Sequence, residues 1–440
     1  MKQLQYRKKN FEKIYNFLIF IPILSYFLGF YFNENSAGMG GYAGDSDWIR
    51  KNIDIFINNN LKDAVLHPEF FGNRSPLIYV INKFINPFYN DFEKYRFIVF
   101  SMSILSPIIF YHFLKIKFYS IDKRILFLIS SLIYLSPYYR TSGYWGLNEN
   151  YGILATVLSL LFFEKFISSK NKSFYLLFLN IFFSSLAVYF DLKLLIIPLY
   201  CFITVILSNI NIRLKTYTVL IYFVFSLPYF YLIYIWGGIV PIKTQKLNPN
   251  TITELSDIKN LYFIHIGYAA TIISFYLLPV TLFTTNNLVG TKLKRKIINR
   301  SSLYILTIFI IYIVYNLIYF DFEKFTVTDY WVGLGVVHKL TLVITNNIIY
   351  QEIITYIFFF FSFILLYYYY LKSKFDIIII SFFIFISLLL WPLMQEYFDP
   401  IITIIAFALF RSIKNLTKKN SLIIFSYLSI FLIVANLYYS

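Results

Sequence analysis

Two kinds of side chain that can work together stand early in the chain. The run Gly38-Met39-Gly40-Gly41-Tyr42-Ala43-Gly44-Asp45-Ser46-Asp47-Trp48 carries paired carboxylates, and Asn73-Arg74-Ser75-Pro76-Leu77-Ile78-Tyr79 carries a guanidinium. A carboxylate can activate or position an attacking hydroxyl, and the planar fork of arginine can hold a departing phosphate by two charge-assisted hydrogen bonds. Asp45 or Asp47 would serve as the first group and Arg74 as the second. The glycines ahead of the acids let the backbone fold tightly. Plainer roles are open to the same residues: Asp45 can cap a helix that starts near Trp48, and an arginine near headgroups can simply bind lipid.

Further polar groups are candidates for substrate contact. His67 and Glu69 flank Pro68 in the same loop, and Tyr144, Asn148 and Glu149 lie where one apolar run gives way to the next. Near the end, Gln395, Glu396, Tyr397 and Asp399 interrupt two apolar runs, where polar density is costly unless used. Each of these also reads as a turn, cap or interfacial residue. Asp45, Asp47 and Glu149 together could hold a divalent cation through oxygen ligands, although no cofactor is required by the chemistry. No His-rich metal spacing, phosphate loop or dinucleotide fingerprint occurs, and the one cysteine, Cys201, excludes a disulfide framework.

The elements that must position these groups are written in the composition. Of 440 residues, 59% are hydrophobic, 22% aromatic and only 14% charged, which suits lipid better than water. The chain reads as an all-α polytopic membrane protein, one domain over 1–440, with about 13 transmembrane helices (11–13) and amphipathic surface helices in its first outer loop. The expected spans are 14–32, 95–114, 125–139, 151–166, 173–190, 194–210, 218–236, 261–283, 303–320, 353–370, 376–391, 401–410 and 421–437. The first follows Arg7, Lys8, Lys9 and Lys13 like a signal peptide, but it is long and lacks a small-residue cleavage site, so it is expected to remain as a span.

Alternate connections are basic, including Lys115 to Arg124, Arg213 and Lys215, Lys292 to Arg300, and Arg411 to Lys419. Placed in the cytoplasm they hold roughly 25 of the 39 Lys and Arg residues, with about 18 of the 22 acids on the opposite face. The N-terminus is then cytoplasmic. The net charge of +17 belongs to this orientation, not to nucleic acid. The long connections, 33–94, 237–260 and 321–352, fall outside, and His338 lies in the last of them. The loop 33–94 contains a surface-helix pattern over Ile49–Leu66 and a second helical segment ending near Asn86.

In this first outer loop, Asp45-Ser46-Asp47-Trp48, the helix after it and Asn73 to Tyr79 resemble the signature of GT-C membrane glycosyltransferases, in particular the aminoarabinose and protein-mannosyl branches. There an acidic pair opens the loop and a basic-Pro-Pro-Leu-x-Tyr segment closes it. This chain has Arg74 for the usual lysine, Ser75 for the first proline, and Trp48 close after the acids. The resemblance implies that Asp45 or Asp47 is the catalytic carboxylate and that Arg74 contacts the donor phosphate. It implies transfer of a sugar from a polyprenyl-phosphate donor to a lipid or glycan acceptor, with inversion, at the extracytoplasmic face of a bacterial plasma membrane. It also implies that Asn148, Glu149 and the Gln395–Asp399 segment approach the site. Two other classes remain open: a polysaccharide polymerase or ligase, which usually carries its large outer loop late in the chain, and a lipid-linked oligosaccharide flippase or transporter. The second would be expected to show a repeat and charged residues within its spans.

Overall fold

The computed structural model describes residues 10, 12–37, 44–72, 75–86, 91–247, 261–284, 300–322, 333–371, 373–390 and 393–439. Among them the fold is all helix with no strand. The chain that reads as one membrane domain gathers into two compact units, Met1–Pro249 with Thr417–Ser440, and Asn250–Leu416.

The first unit begins with α1 (Glu12–Tyr31), a long apolar helix. A folded loop follows, made of α2 (Ser46–Asn58), α3 (Leu61–Val65) and α4 (Leu77–Phe84). Then come α5 (Phe92–Lys117), α6 (Lys123–Ser131), α7 (Pro137–Trp145), α8 (Glu149–Ser168), α9 (Phe174–Phe190), α10 (Ile196–Leu207), α11 (Ile212–Trp236) and α12 (Ile242–Leu247). The second unit contains α13 (His265–Leu277), α14 (Arg300–Tyr319), α15 (Gly335–Ile344), α16 (Ile348–Tyr369), α17 (Lys374–Ser387) and α18 (Ile401–Leu409). The last helix, α19 (Lys418–Tyr439), returns to the first unit.

Among the described residues six helices are long and apolar enough to cross a membrane: α1, α5, α8, α11, α16 and α19. Several shorter apolar helices accompany them, so the chain has the character of a multi-pass membrane protein, but the expectation of thirteen spans goes beyond what the helices carry. The clearest departure is 401–410. There α18 is a nine-residue helix with every residue buried, and at 1.5 Å per residue it reaches only about 13.5 Å, against a hydrocarbon core of about 30 Å. Hydropathy cannot distinguish a run that is apolar because lipid surrounds it from one that is apolar because protein does.

The expected span 125–139 is broken into two pieces. Leu132–Leu135 tighten into a 3₁₀ turn, and α7 starts afresh at Pro137, whose missing N–H costs nothing in a first turn. Ser136 caps the restart, its Oγ accepting the Tyr139 N–H at 3.0 Å. Both ends of this segment are fixed against the first helix. Arg124 pairs with Glu12 at 2.9 Å, whereas Arg140 pairs with Glu34, just beyond the other end of α1.

At the Glu12 end, Arg124 also bonds Asp122 at 2.9 Å, and Lys418 pairs with Glu12 at 2.6 Å, so the starts of α1, α6 and α19 are tied together. The hydrogen bond from Arg124 holds the Asp122 carboxyl down to about 2. A depressed carboxylate stabilises the fold above its unfolded pKa of about 4 and loses that contribution as pH falls towards 2. Because Asp122 is about one-third exposed, its contribution is under about 1 kcal/mol. The melting difference between wild type and Asp122→Asn in detergent is therefore expected to be constant from pH 7 to about 4.5 and to close between about pH 4 and 2.

Within the bundle, polar side chains join helices that lipid alone would not hold together. Asn180 of α9 donates to Ser159 of α8 at 3.1 Å (backbone O) and 2.9 Å (Oγ), and meets the buried Cys201 thiol of α10 at 3.5 Å. Gly152 of α8 allows the close approach, since a Cβ there would strike Leu194.

Candidate functional site

The loop between α1 and α5 folds onto the ends of four helices. On α2, Ile49, Asn52, Ile53 and Phe56 fall at helical spacing and are all buried. The three apolar members contribute roughly 1.5–3 kcal/mol each by burial. They join Val65, Phe70, Ile78 and Tyr79 of the loop in one core with Tyr95 and Val99 of α5, Phe190 of α9, and Leu232 and Trp236 of α11. The expected surface stretch Ile49–Leu66 is broken at Asn59-Asn60. Asn60 caps α3 by accepting the Asp63 N–H at 3.0 Å.

Asp45 and Asp47 open α2. Asp45 is exposed and its side chain makes no capping hydrogen bond to the helix, so capping is not its use. Asp47, in the first turn, is 47% exposed and pairs with Arg50 one turn on. Next to it, Trp48 packs on Phe71 with ring centroids 4.5 Å apart. Asn52 secures the same contact: its Nδ2 donates to the Phe71 carbonyl at 2.5 Å and its Oδ1 accepts the Phe71 N–H at 3.3 Å. The acid-bearing helix start and the segment leading towards Arg74 are thus held together, although Arg74 itself lies outside the described residues.

A third strand of chain joins them. On α12, the buried Thr244 hydroxyl accepts the Gly72 N–H and donates to the Gly72 carbonyl, both at 3.0 Å. Lys243 pairs with Glu69, and its Nζ lies 5.2 Å from the Trp48 ring centroid, with Lys51 Nζ at 5.1 Å. The Lys243 contact lowers the pKa of the Glu69 carboxyl. His67 is taken up in its own turn, where Nδ1 accepts the Glu69 N–H at 3.2 Å. Replacing Thr244 with Val removes the side-chain partner of two part-buried backbone groups of Gly72, at about 1 kcal/mol for each hydrogen bond lost. Faster hydrogen exchange and proteolysis across 66–72, with the helix bundle unchanged, is the expected result.

The other end of the candidate motif is anchored on α9. Ser75 Oγ donates to the Tyr189 carbonyl at 2.6 Å, and Asn148 Nδ2 donates to the Phe190 carbonyl at 3.2 Å. Two segments singled out in the sequence therefore meet on consecutive residues of one helix end. Glu149, in the first turn of α8, accepts the Ser142 hydroxyl at 3.1 Å and is partly exposed. Tyr144, expected to meet a sugar, is instead fully buried, its hydroxyl bonded to the Tyr26 carbonyl at 2.6 Å, and it packs the core. The apolar run before it gives no sign of which aromatic residues turn inward. Asp45, Asp47 and Glu149 are not gathered as metal ligands: no group of three or more His, Cys, Asp or Glu that could hold an ion occurs among the described residues.

In the second unit, Gln395 is buried and structural. Its Oε1 accepts the Val336 N–H at 2.7 Å and its Nε2 donates to the Tyr276 hydroxyl at 2.8 Å, fixing the start of α15. Asp399 is also buried, while Glu396 and Tyr397 are partly exposed on the turn between α17 and α18. His338 of α15, in a long connection expected outside, is buried against Tyr268, with Nδ1 at 3.3 Å from the Tyr268 hydroxyl.

The sequence alone gives no role to Asn52 and Thr244. Asn52 was findable as a polar residue set among the apolar positions of the buried stripe of α2. Comparison with family models, with curated proteins and with solved structures finds no match to this chain.

Proposed function

We propose that this protein is a glycosyltransferase of the GT-C type, moving a sugar from a polyprenyl-phosphate donor to a lipid or glycan acceptor at the extracytoplasmic face of a bacterial plasma membrane. The observation that carries the reading is the contact of Trp48 with Phe71, secured by Asn52, which joins the two halves of the first-loop motif. It makes one neighbourhood of the half-exposed acids at the start of α2 and the segment that continues into Arg74.

In this reading Asp45 or Asp47 draws the proton from the acceptor hydroxyl as its oxygen attacks the anomeric carbon. The bond from that carbon to the phosphate oxygen breaks, and the electron pair leaves on the polyprenyl phosphate, whose charge Arg74 meets. The configuration inverts because the displacement is single. The donor's own phosphate ester supplies the driving force, so no nucleotide site is needed. The six long apolar helices among the described residues support the reading, because a multi-pass membrane protein shares its bilayer with lipid-linked donors. Glu149 supplies a further polar contact, held beside the site by the buried Asn148 before it, and the Glu396–Tyr397 turn is retained as a candidate sugar contact.

The test is transfer of radiolabelled sugar from a panel of polyprenyl-phosphate donors by the purified full chain in detergent. Transfer from at least one donor, without added nucleotide, is expected; no transfer from any of them would sink the reading.

A further inference from the structure

The turn after α9 carries a charged pair that the catalytic scheme leaves unused. Asp191 and Lys193 lie between the apolar helices α9 and α10, and their side chains are only 8% and 10% exposed. Lys193 Nζ is 3.0 Å from Asp191 Oδ2, and the Lys193 N–H donates to Asp191 Oδ1 at 3.2 Å. Burying two charges costs several kcal/mol each, and an apolar pair of the same volume would serve stability as well. Ionisable groups between membrane helices therefore need a use beyond packing.

Their neighbours indicate which use. The three residues Tyr189, Phe190 and Asp191 are consecutive, and the first two accept hydrogen bonds from Ser75 and Asn148. Ser75 directly follows Arg74, and Asn148 directly precedes Glu149. The pair thus sits where the phosphate-binding and second polar segments of the candidate site converge. We propose that Lys193, oriented by Asp191, is a second cation for the phosphate of the lipid-linked donor. The inference rests on the glycosyltransferase reading and deepens it. A lysine suits this position as a point charge that exchanges one anionic partner, the Asp191 carboxylate, for part of another. Asp191 is then a positioning residue that holds the ammonium in place while no donor is bound.

The experiment is a thermal-shift titration of the full chain in detergent with undecaprenyl phosphate, inorganic phosphate and phosphatidylglycerol. Wild type is expected to bind undecaprenyl phosphate in preference to the other two. Lys193→Gln should weaken that binding at least tenfold, and Lys193→Arg should restore most of it. Since Lys193→Gln strands a buried carboxylate, the double variant Asp191→Asn, Lys193→Gln removes both charges, should keep the wild-type melting point, and should still lose the binding. Undiminished binding by the folded double variant overturns the assignment of Lys193 and leaves the donor reading standing. Binding of inorganic phosphate alone, dependent on Lys193, keeps the cation site and removes the lipid donor. Wild type that binds none of the three overturns both.

Discussion

Asp45→Asn is expected to lower sugar transfer by about 10²–10⁴-fold, the usual worth of a positioned general base, with donor binding retained. Asp47→Asn should cost far less, about tenfold. The distinction comes from what each carboxylate is doing. Asp47 is held by Arg50, one turn along α2, so its placement and charge are already answered within the helix. Asp45 precedes the helix, is exposed, and makes no capping bond to it. Kinetics of both variants, with folding checked by melting and donor affinity by titration, decide the matter. A greater loss in Asp47→Asn would move the catalytic role one helical step to that residue. Equal, small losses in both would leave the first-loop motif without its carboxylate.

The surface helices of the first loop were legible because they obey a local rule. Ile49, Ile53 and Phe56 recur at helical spacing, the charged residues between them face out, and the chain needs no distant information to fold that way. The number of full spans was not legible, since α18 is as apolar as any span yet owes it to burial within protein, and the expected span 125–139 is two short helices parted by a 3₁₀ turn. Pairings across the chain were hidden for a different reason. Thr244 meets Gly72 and Ser75 meets Tyr189 through backbone atoms, which every residue possesses, so no residue type at either end announces the contact. Arg140 was visible as a charge at the end of an apolar run, but its partner Glu34 lies 106 positions away. Spacing along one helix reveals a face; it does not reveal what that face meets.

That distant pair governs the second large effect. All five N–H groups of the Arg140 guanidinium are used. Nε donates to Glu34 Oε1 at 2.7 Å and one Nη2 hydrogen to Glu34 Oε2, while the other goes to the Ser25 carbonyl at 2.8 Å; Nη1 donates to the Tyr134 carbonyl at 3.0 Å and to Ser25 Oγ at 3.2 Å. Glu34 in turn accepts from Asn436 Nδ2 at 3.3 Å, and its backbone carbonyl accepts the Trp145 indole N–H at 3.1 Å. One arginine thus fastens α1, α7 and α19 at the end of the unit nearest the folded loop. Arg140→Met leaves Glu34 nearly buried without its cation, and breaking such a pair costs about 3–5 kcal/mol. Arg140→Lys should recover little, because three donors cannot replace a planar fork of five. The double variant Glu34→Gln, Arg140→Met should recover most of the loss, since no lone charge then remains. Gly29→Ala tests the same knot without touching a charge: a methyl group there would meet Arg140 Nη2, Glu34 Oε2 and the Tyr144 hydroxyl together. It is expected to destabilise nearly as much as Arg140→Met. The readout is the melting point in detergent, and a double variant no more stable than Arg140→Met alone would show that the arginine acts through its packing, not through its pairing with Glu34.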